Sequence, residues 1–488
     1  MRRHHLAAAA LLLASVAAWA KDPPKYKTPT VTVPANWQAP APWREAAPAD
    51  AFAKGEWWKI FNDPELIKYE EQALANNQTI AGAVARLSEA RAFARVTQAG
   101  LYPELDTGFS AQRSRVSANR PLASQPPTAV TYNTFTIPFT LNYEVDLFGG
   151  IRSSVQAARA SLQASAADLE NFRLLITSEL AADYFQVRSL DAEIEVVKEA
   201  IDYQQKGLDL VNHRHEGGVA SGLDVAQQAT VLDSSTTQLS LLIQQRAQFE
   251  HAVAVLQGLP ASQFNVPYRA LKEEPPAVPL LVPSDLLERR PDIAKAERLV
   301  LAANAQIGVA HAALFPSIAI GAGGGAQSIN ISSLLNGPSA FWSIAANVFQ
   351  PVFAGGKNRA RVDLARASYQ ESVANYRETV LDSFQQVEDA LSGLNALAAA
   401  SNSQTRAVAD SQRALDLANN RYQGGLTTYL DVITAQETLL VNQRLSAQLL
   451  GQRLVTSVLL VKALGGGWDK ASLDAVKAPL NWKTTFQQ

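Results

Sequence analysis

The sequence predicts a mixed α/β membrane protein, built by internal duplication, in which very long helices are joined to β-hairpins. The duplication is visible in "NHRHEGGVASGLDV" (Asn212 to Val225) and "NNRYQGGLTTYLDV" (Asn419 to Val432), which match at seven positions at a shift of 207 residues. Two runs without proline carry apolar residues at spacings of three, four and seven, which is the period of packed helices. Shorter segments alternate apolar and polar residues, which is the period of a β-strand.

The first residues and the composition indicate a protein that leaves the cytoplasm. Arg2 and Arg3 precede a short apolar run, Leu6 to Ala17, and a small-x-small cleavage site follows at 18–20. Residues 1–20 are therefore predicted to be a signal peptide. The 488 residues include no cysteine and have a formal net charge of −2. Disulfides and thiolate metal sites are thus excluded, and the charge gives no reason to expect nucleic acid as a partner.

The mature chain divides into two repeats with a connecting segment between them. A further matching pair, "VQAARASLQAS" from Val155 and "VDLARASYQES" from Val362, has the same shift of 207 residues. The proline-rich stretch between the repeats is typical of a linker. The predicted divisions are an extended N-terminal segment at 21–62, a first repeat at 63–271, the linker at 272–284, a second repeat at 285–465 and a tail at 466–488.

Each repeat contains one uninterrupted long helix. No proline occurs between Gly150 and Gly217 or between Gly356 and Gly424, and each run of roughly 65 residues would form about 95 Å of helix. The faces of these helices are rich in alanine, which permits close packing of neighbouring helices. Since a helix of this length cannot wrap around a globular core, we expect a long bundle or tube.

Each repeat also contains a predicted β-hairpin. Every second residue from Phe135 to Val145 is apolar, and the stretch from Leu105 to Ala111 shows a similar alternation. The stretch 316–356 has no charged residue, and on its own it resembles a transmembrane helix. Its glycines and the loop at 336–338 instead predict two strands.

Four strands per chain cannot close a barrel. Open strand edges are not tolerated in hydrocarbon, and about eight strands form the smallest transmembrane barrel. If these strands cross a membrane, other copies of the chain must complete the barrel. The alternative from the pattern alone is a soluble four-stranded sheet that caps a helical bundle.

The two matching turns have a local explanation as a helix stop followed by a helix start. Glycine accepts the left-handed conformation that ends many helices, and both turns contain a pair, namely Gly217, Gly218, Gly424 and Gly425. Ser221 with Asp224, and Thr428 with Asp431, have the spacing of a capping box that begins the outgoing helix. Helix capping alone is therefore one interpretation of both aspartates.

Three further stretches occur in a fixed order along the chain: "EWWKIFNDPEL" (Glu56 to Leu66), "ERRPDIAKAE" (Glu288 to Glu297) and "IGVAHAALFPSI" (Ile307 to Ile318). With the duplication, the "LFGG" and "VFAGG" elbows and the twin Gly-Gly turns, the chain resembles the outer membrane factor family, the TolC-like export channels. The resemblance runs over nearly the whole mature chain. It is closest to the NodT-like branch, which serves efflux pumps of the resistance-nodulation-division (RND) type.

The resemblance implies a homotrimer in which each chain gives four strands to one 12-stranded outer-membrane β-barrel, continued by a long periplasmic α-helical coiled-coil barrel. Such a protein is the exit duct of a tripartite efflux system and exports small molecules passively through a gated tunnel. The implied partners are outer-membrane lipid, a periplasmic adaptor protein and an inner-membrane RND-type pump, and no cofactor is implied. Many NodT-like members carry a lipidated cysteine at the mature N-terminus, where this chain has Lys21.

The resemblance also implies a gate at the periplasmic ends of the helices. Asp431 matches a position that forms an acidic ring around the three-fold axis, and Tyr422 and Asp224 match a hydrogen-bonded pair that keeps the gate shut. Thr434 stands where the family has a second acidic ring, and Thr427 stands where it has an arginine. The aspartate ring and the Tyr–Asp link are therefore expected here, without the arginine link.

Other motifs do not support a catalytic or metal-binding protein. His213 and His215 lie at a predicted helix tip, but with four histidines in the mature chain and no cysteine, solvated side chains are favoured over a metal site. The glycine pattern at 321–326 precedes no predicted helix and lacks the acidic residue of a dinucleotide site. We therefore expect no enzyme activity. The alternative function is a secreted or periplasmic coiled-coil scaffold without a pore.

Overall fold

The computed structural model describes residues 26–34, 37, 56–119, 129–271, 274–276, 278, 286–468, 473 and 476. The predicted signal peptide at 1–20 lies outside these residues, as do most of the 272–284 linker and most of the 466–488 tail. Within the described part, no helix is both long enough and apolar enough to cross a membrane.

The helices of the two repeats have matching lengths. The first repeat contains α1 (Pro64–Asn76), α2 (Gln78–Ala99), α3 (Gly150–Glu216) and α4 (Gly222–Leu256), and the second contains α5 (Pro291–Ala312), α6 (Lys357–Gln423) and α7 (Tyr429–Ala463). Helices α2 and α5 have 22 residues each, α3 and α6 have 67, and α4 and α7 have 35. The predicted duplication is therefore confirmed, and each of the longest helices extends for about 100 Å.

Glycine residues set both ends of the long helices. Gly149 (φ 77°) precedes α3 and Gly356 (φ 80°) precedes α6, in a region of backbone conformation that residues with a Cβ avoid. At the other end, Gly218 (φ 74°) and Gly425 (φ 72°) turn the chain out of the helix. The chain then reverses, so α3 and α4 form a first helical hairpin, and α6 and α7 form a second.

Helix α3 lies at the centre of the helical part. It packs against α2, α4, α5 and α7, while α6 packs against α5 and α7. The largest buried cluster surrounds Trp57 and Trp58 and includes Leu180 of α3 and Leu391 of α6. The two hairpins lie side by side along a seam in which α7 contacts both α3 and α4.

A network of polar side chains ties α1 to this core. Asp63 caps α1 by accepting from Glu65 N (2.9 Å) and Leu66 N (3.3 Å), and it also accepts from the Tyr184 hydroxyl (2.6 Å) and from Arg269. Burial raises the pKa of Asp63, but the bonds from Tyr184, Arg269 and the Leu66 N–H outweigh it, so the pKa lies below its usual value. Asp63 therefore anchors the start of α1 to α3 through Tyr184.

The strands form one antiparallel sheet with four lanes. The first lane contains β1 (Glu104–Thr107) and β2 (Ser110–Val116), and β3 (Val130–Val145), β4 (Ser317–Ser328) and β5 (Ala340–Phe349) follow in that order. Thr107 lies opposite Phe139 and Ser110 opposite Thr136, so β1 and β2 keep one register and are a single lane with a short break. The two predicted β-hairpins are confirmed, and β3 and β4 join them.

Residues directly opposite each other in neighbouring strands share a face. Over β3, β4 and β5, one face of the sheet is apolar and the other is mainly glycine and polar residues. The apolar face carries Phe135, Ile137, Phe139, Leu141, Tyr143 and Val145 of β3, Ile318 and Ile320 of β4, and Trp342, Ile344 and Val348 of β5. The other face carries Thr136, Pro138, Thr140, Asn142 and Glu144 of β3, Gly321, Gly323 and Gly325 of β4, and Phe341, Ser343, Asn347 and Phe349 of β5. Among the described residues, the outer edges of the first lane and of β5 have no strand partner.

Candidate gate at the helical hairpin tips

The tip of the first hairpin is a helix stop followed by a capped helix start. After the Gly217-Gly218 turn, Ser221 is the N-cap of α4. Asp224 N donates to Ser221 Oγ (3.2 Å), and Asp224 Oδ2 accepts from Ser221 N (2.9 Å) and Ser221 Oγ (2.9 Å). The predicted capping box is confirmed at this turn. In the described part of the chain, the Asp224 carboxylate accepts hydrogen bonds from Ser221 alone.

The second hairpin begins its return helix differently. Thr428 is the N-cap of α7, but its side chain makes no capping hydrogen bond. The Asp431 carboxylate instead accepts a hydrogen bond from the Thr427 hydroxyl. The predicted capping box between Thr428 and Asp431 is therefore wrong, because Thr427 offers a competing hydroxyl where the first turn has Ala220.

Tyr422 connects the two hairpins through its ring. Its centroid lies 4.9 Å from that of Tyr429, and the Arg214 guanidinium lies 4.6 Å from the Tyr422 centroid. Because Arg214 belongs to α3, this cation–π contact crosses from the first hairpin to the second. No hydrogen bond joins Tyr422 to Asp224, although the structure describes both residues. The link implied by the resemblance is not formed here, since Asp224 is engaged with Ser221.

Asp431 and Thr434 lie one turn apart on the exposed side of α7. Val432 and Ile433 are buried in the seam, whereas Asp431 and Thr434 are exposed in the single chain. Thr434 Oγ1 donates to Leu430 O of its own helix (2.9 Å). The two predicted gate positions therefore share a side of α7 that does not face the first hairpin.

The tip histidines contact backbone carbonyls. His213 Nδ1 lies 2.6 Å from Asp209 O, and His215 Nδ1 lies 2.9 Å from Ala220 O. Throughout the residues that the structure describes, no group of three His, Asp or Glu side chains is placed to hold a metal ion. Both histidines thus help to close the end of α3 and its turn.

The side chains that join the hairpins inside the seam were not predicted. Tyr429 is 3% exposed and donates its hydroxyl to Gln228 Oε1 (3.1 Å), and Gln228 Nε2 donates to Gln204 O (2.8 Å). One signal in the sequence points to Tyr429. It stands where the first turn has Gly222, which is the largest difference in side-chain volume between the two turns.

Burial controls the ionisation of the polar groups in the seam. It raises the pKa of Tyr429 to about 12, with further contributions from Tyr422 and Tyr203, so the Tyr429 hydroxyl is a hydrogen-bond donor at neutral pH. Further along the seam, Glu193 accepts from Gln448 Nε2 (2.8 Å), and burial raises the pKa of Glu193 as well. The seam is therefore a series of buried hydrogen bonds between the hairpins.

The sequence matches known proteins along most of its length. The family described as "Outer membrane efflux protein" matches residues 70–259 and 282–466. The pyoverdine export outer membrane protein OpmQ of Pseudomonas aeruginosa is 35% identical over 438 residues, which cover 88% of this chain and 92% of that protein. The toluene efflux pump outer membrane protein TtgF of Pseudomonas putida is 30% identical, and the match covers 93% of this chain and 95% of TtgF.

Solved structures share the fold. The outer-membrane channel OprN superposes with a TM-score of 0.85 at 27% identity, covering 91% of this chain and 99% of its own. The outer membrane protein VceC of Vibrio cholerae superposes with a TM-score of 0.78 at 31% identity, covering 84% and 98%. The predicted channel fold, outer-membrane location and role as an efflux duct are confirmed. The chain belongs to the outer membrane efflux protein family, whose trimeric channels work with an adaptor protein and an inner-membrane pump.

Proposed function

We propose that this outer-membrane efflux channel is a homotrimeric exit duct whose periplasmic end is gated by the tips of the second hairpins. The observation that carries the proposal is a four-lane sheet whose two outer edges have no strand partner among the residues that the structure describes. This sheet is joined to hairpins built on 67-residue helices. Sheet edges cannot lie open in hydrocarbon. Three copies supply 12 strands, which is enough to close the sheet into a transmembrane barrel.

The two faces of the sheet suit a barrel wall around an aqueous pore. Trp342, Ile344 and Val348 lie on the apolar face and are 80%, 73% and 61% exposed in the single chain. Contact with lipid covers this face, whereas a soluble sheet that caps a helical bundle would leave it in water. The other face carries mainly glycines and short polar side chains on β3 and β4, which suits the lining of an aqueous lumen.

The helical hairpins continue the duct away from the membrane towards the adaptor and the pump. The relatives named above export pyoverdine in one case and toluene in another, and these are chemically unlike molecules. We infer that the duct carries small molecules passively, and that the pump selects them and supplies the energy. Passive conduction of this kind requires no catalysis by the chain itself.

At the tips, we infer that three copies of Asp431 surround the three-fold axis. Asp431 lies on the side of α7 that faces away from the seam, so an axis on that side brings the three carboxylates together. Like charges at short range disfavour full ionisation, and a shared proton or a bound cation relieves their repulsion. Thr434 adds a ring of hydroxyl groups one turn further along, and Tyr422 supports the tip from the seam.

Two measurements test the duct itself. The purified protein should migrate as a trimer in SDS gels unless it is heated, and it should produce discrete conductance steps in planar lipid bilayers. A protein that washes off membranes with carbonate and conducts no current would instead be a scaffold without a pore, and the proposal would fail.

The duplication supplies a matched pair of variants for the gate. Asp431→Asn and Asp224→Asn change the same position in the two repeats, but only Asp431 is proposed to face the axis. Asp431→Asn should lower the cation selectivity of the channel and weaken its block by Mg²⁺, while Asp224→Asn should leave both unchanged. Equal effects of the two substitutions, or no effect of Asp431→Asn, would contradict the acidic ring.

A further inference from the structure

One buried side chain at the tip of the second hairpin hydrogen-bonds to the first hairpin. Tyr429, in the first turn of α7, extends across the seam and donates its hydroxyl to Gln228 Oε1 of α4 (3.1 Å). Gln228 is fully buried and in turn donates through Nε2 to Gln204 O of α3 (2.8 Å). A continuous chain of hydrogen bonds therefore joins α7 to both helices of the first hairpin.

A glycine in α3 makes room for this hydroxyl. A Cβ added to Gly207 would lie 2.9 Å from Tyr429 Oη and 3.3 Å from Gln228 Nε2, which is closer than carbon normally approaches either atom. Glycine inside a helix is less stable than alanine, so its presence in α3 needs a reason from packing. The Tyr429 hydroxyl provides that reason, and we refer to the space beside Gly207 as the notch.

The contact is asymmetric, because the equivalent residues in the other copy of the repeat cannot form it. At the shift of 207 residues, the positions of Tyr429, Gly207 and Gln228 are occupied by Gly222, Ala414 and Ala435 respectively. Neither a tyrosine in the first turn nor a notch in the second hairpin exists at these positions. The two hairpins of the chain are thus complementary at this point rather than equivalent.

We propose that Tyr429 in the notch is the positioning residue that sets the second hairpin tip against the first hairpin of the same chain and holds it in its resting arrangement. Asp431 lies two residues further along the same helical turn, so the notch also determines where the gate carboxylate lies. Withdrawal of Tyr429 would leave the buried Gln228 Oε1 without its hydrogen-bond donor, which disfavours partial release. This proposal rests on the gated duct proposed above, and it assigns the contact that sets the gate.

The test uses Gly207→Ala, Tyr429→Phe and the double variant. Gly207→Ala fills the notch and should expel the tyrosine, which should raise the resting single-channel conductance at least several-fold. Tyr429→Phe keeps the ring and should have a smaller effect. In the double variant the missing hydroxyl makes room for the new methyl group, so its conductance should return towards that of Tyr429→Phe. Gly393→Ala in α6 is the control, because its Cβ would meet only Thr456 Cγ2 at 3.5 Å, an ordinary contact.

Amide hydrogen exchange tests the same contact independently of channel conductance. Gly207→Ala should raise the exchange rate of amides in the first turns of α4 and α7 roughly tenfold, as loss of one buried hydrogen bond implies, and the double variant should reverse this change. If the wild-type channel conducts but Gly207→Ala changes neither conductance nor exchange, the notch is not the positioning contact. Equal behaviour of Gly207→Ala and the double variant would also overturn it. If exchange responds as expected while no variant conducts, the positioning contact stands and the channel function fails.

Discussion

Replacement of Asp63 by alanine should release α1 from the core without affecting the seam between the two hairpins. The Asp63 carboxylate caps α1 through Leu66 N, accepts the buried Tyr184 hydroxyl and pairs with Arg269. Alanine provides none of these interactions. The free energy of local opening of α1 should therefore fall. The free energy of local opening of the hairpin tips, at the far end of the helices, should not change.

The expected loss is about 3 kcal/mol. Removal of an N-cap side chain costs about 1 kcal/mol, and loss of a charged acceptor for the buried Tyr184 hydroxyl costs about 2 kcal/mol. The Arg269 side chain is 40% exposed, so water replaces much of its interaction and we add nothing for that pair. Because about 1.4 kcal/mol corresponds to a factor of ten, opening of α1 should become roughly 100-fold more frequent.

Hydrogen exchange measured by mass spectrometry on the purified channel tests this value. Peptides that cover α1 should exchange roughly 100-fold faster in Asp63→Ala, and peptides from α7 should not change. Asp63→Asn is the matched control, because asparagine also caps helices but lacks the charge, so its effect should be clearly smaller. Unchanged exchange of α1 in Asp63→Ala would refute the anchoring role.

The same residue should give the exchange of α1 a pH dependence. The folded pKa of Asp63 lies below the ordinary value of 3.8, so the carboxylate stabilises the fold above that pH. Its contribution is lost as the pH falls through the lower, folded pKa. Asp63→Asn should therefore remove this acid-dependent step in the exchange of α1.

Five substitutions elsewhere test three other parts of the structure. Gly325→Ala should reduce the yield of trimer from isolated membranes, since Gly325 has φ 155° and a Cβ there would overlap a backbone oxygen of β3, whereas Gly323→Ala should be milder. Ser221→Ala should lower the stability of the first tip by about 1 kcal/mol while Thr428→Ala, which removes no capping bond, should be near neutral in thermal unfolding. Glu70 is fully buried, and burial raises its pKa well above 4.5. The free energy of unfolding should therefore fall as the pH rises above 4.5. Glu70→Gln should remove this dependence and raise the melting temperature at pH 7.

The long elements could be predicted from the sequence because each depends on a repeated local signal. Apolar residues at helical spacing, bounded by glycine pairs, predicted α3 and α6, and strict alternation predicted β3. The anchoring of α1 could not be predicted in this way, because the partner of Asp63 is Tyr184, 121 residues away. The break between β1 and β2 was also not predicted, since the alternation continues through it.

The candidate gate shows the same limit at short range. The capping motif correctly predicted the bond between Ser221 and Asp224, but the spacing alone does not determine which of two adjacent hydroxyl groups bonds to Asp431. It is Thr427 in the structure, where Thr428 was expected. The contacts between hairpins depend on how α7 lies against α4. The sequence around Gln228 therefore did not predict that it binds Tyr429, 201 residues away.

If the two repeats were identical, the first and second hairpins of a trimer would be equivalent. Nothing would then favour closure of the duct by the tips of the second hairpins over closure by the tips of the first. The differences between the repeats therefore matter most where the tips meet. Three residues of the second turn are larger or more polar than their counterparts in the first: Tyr422 replaces His215, Thr427 replaces Ala220, and Tyr429 replaces Gly222. Each makes a contact that its counterpart does not make, with Arg214, Asp431 and Gln228 respectively.

These contacts account for the different roles that we propose for the two aspartates. In the described part of the chain, the Asp224 carboxylate accepts hydrogen bonds from Ser221 alone. Asp431 lies between Thr427, which binds its carboxylate, and Tyr429, which holds its helical turn on the first hairpin. The role of the acid is thus set by its neighbours rather than by its own identity. A tyrosine introduced by Gly222→Tyr should accordingly create no second gate, because the position equivalent to the notch is occupied by the alanine side chain of α6.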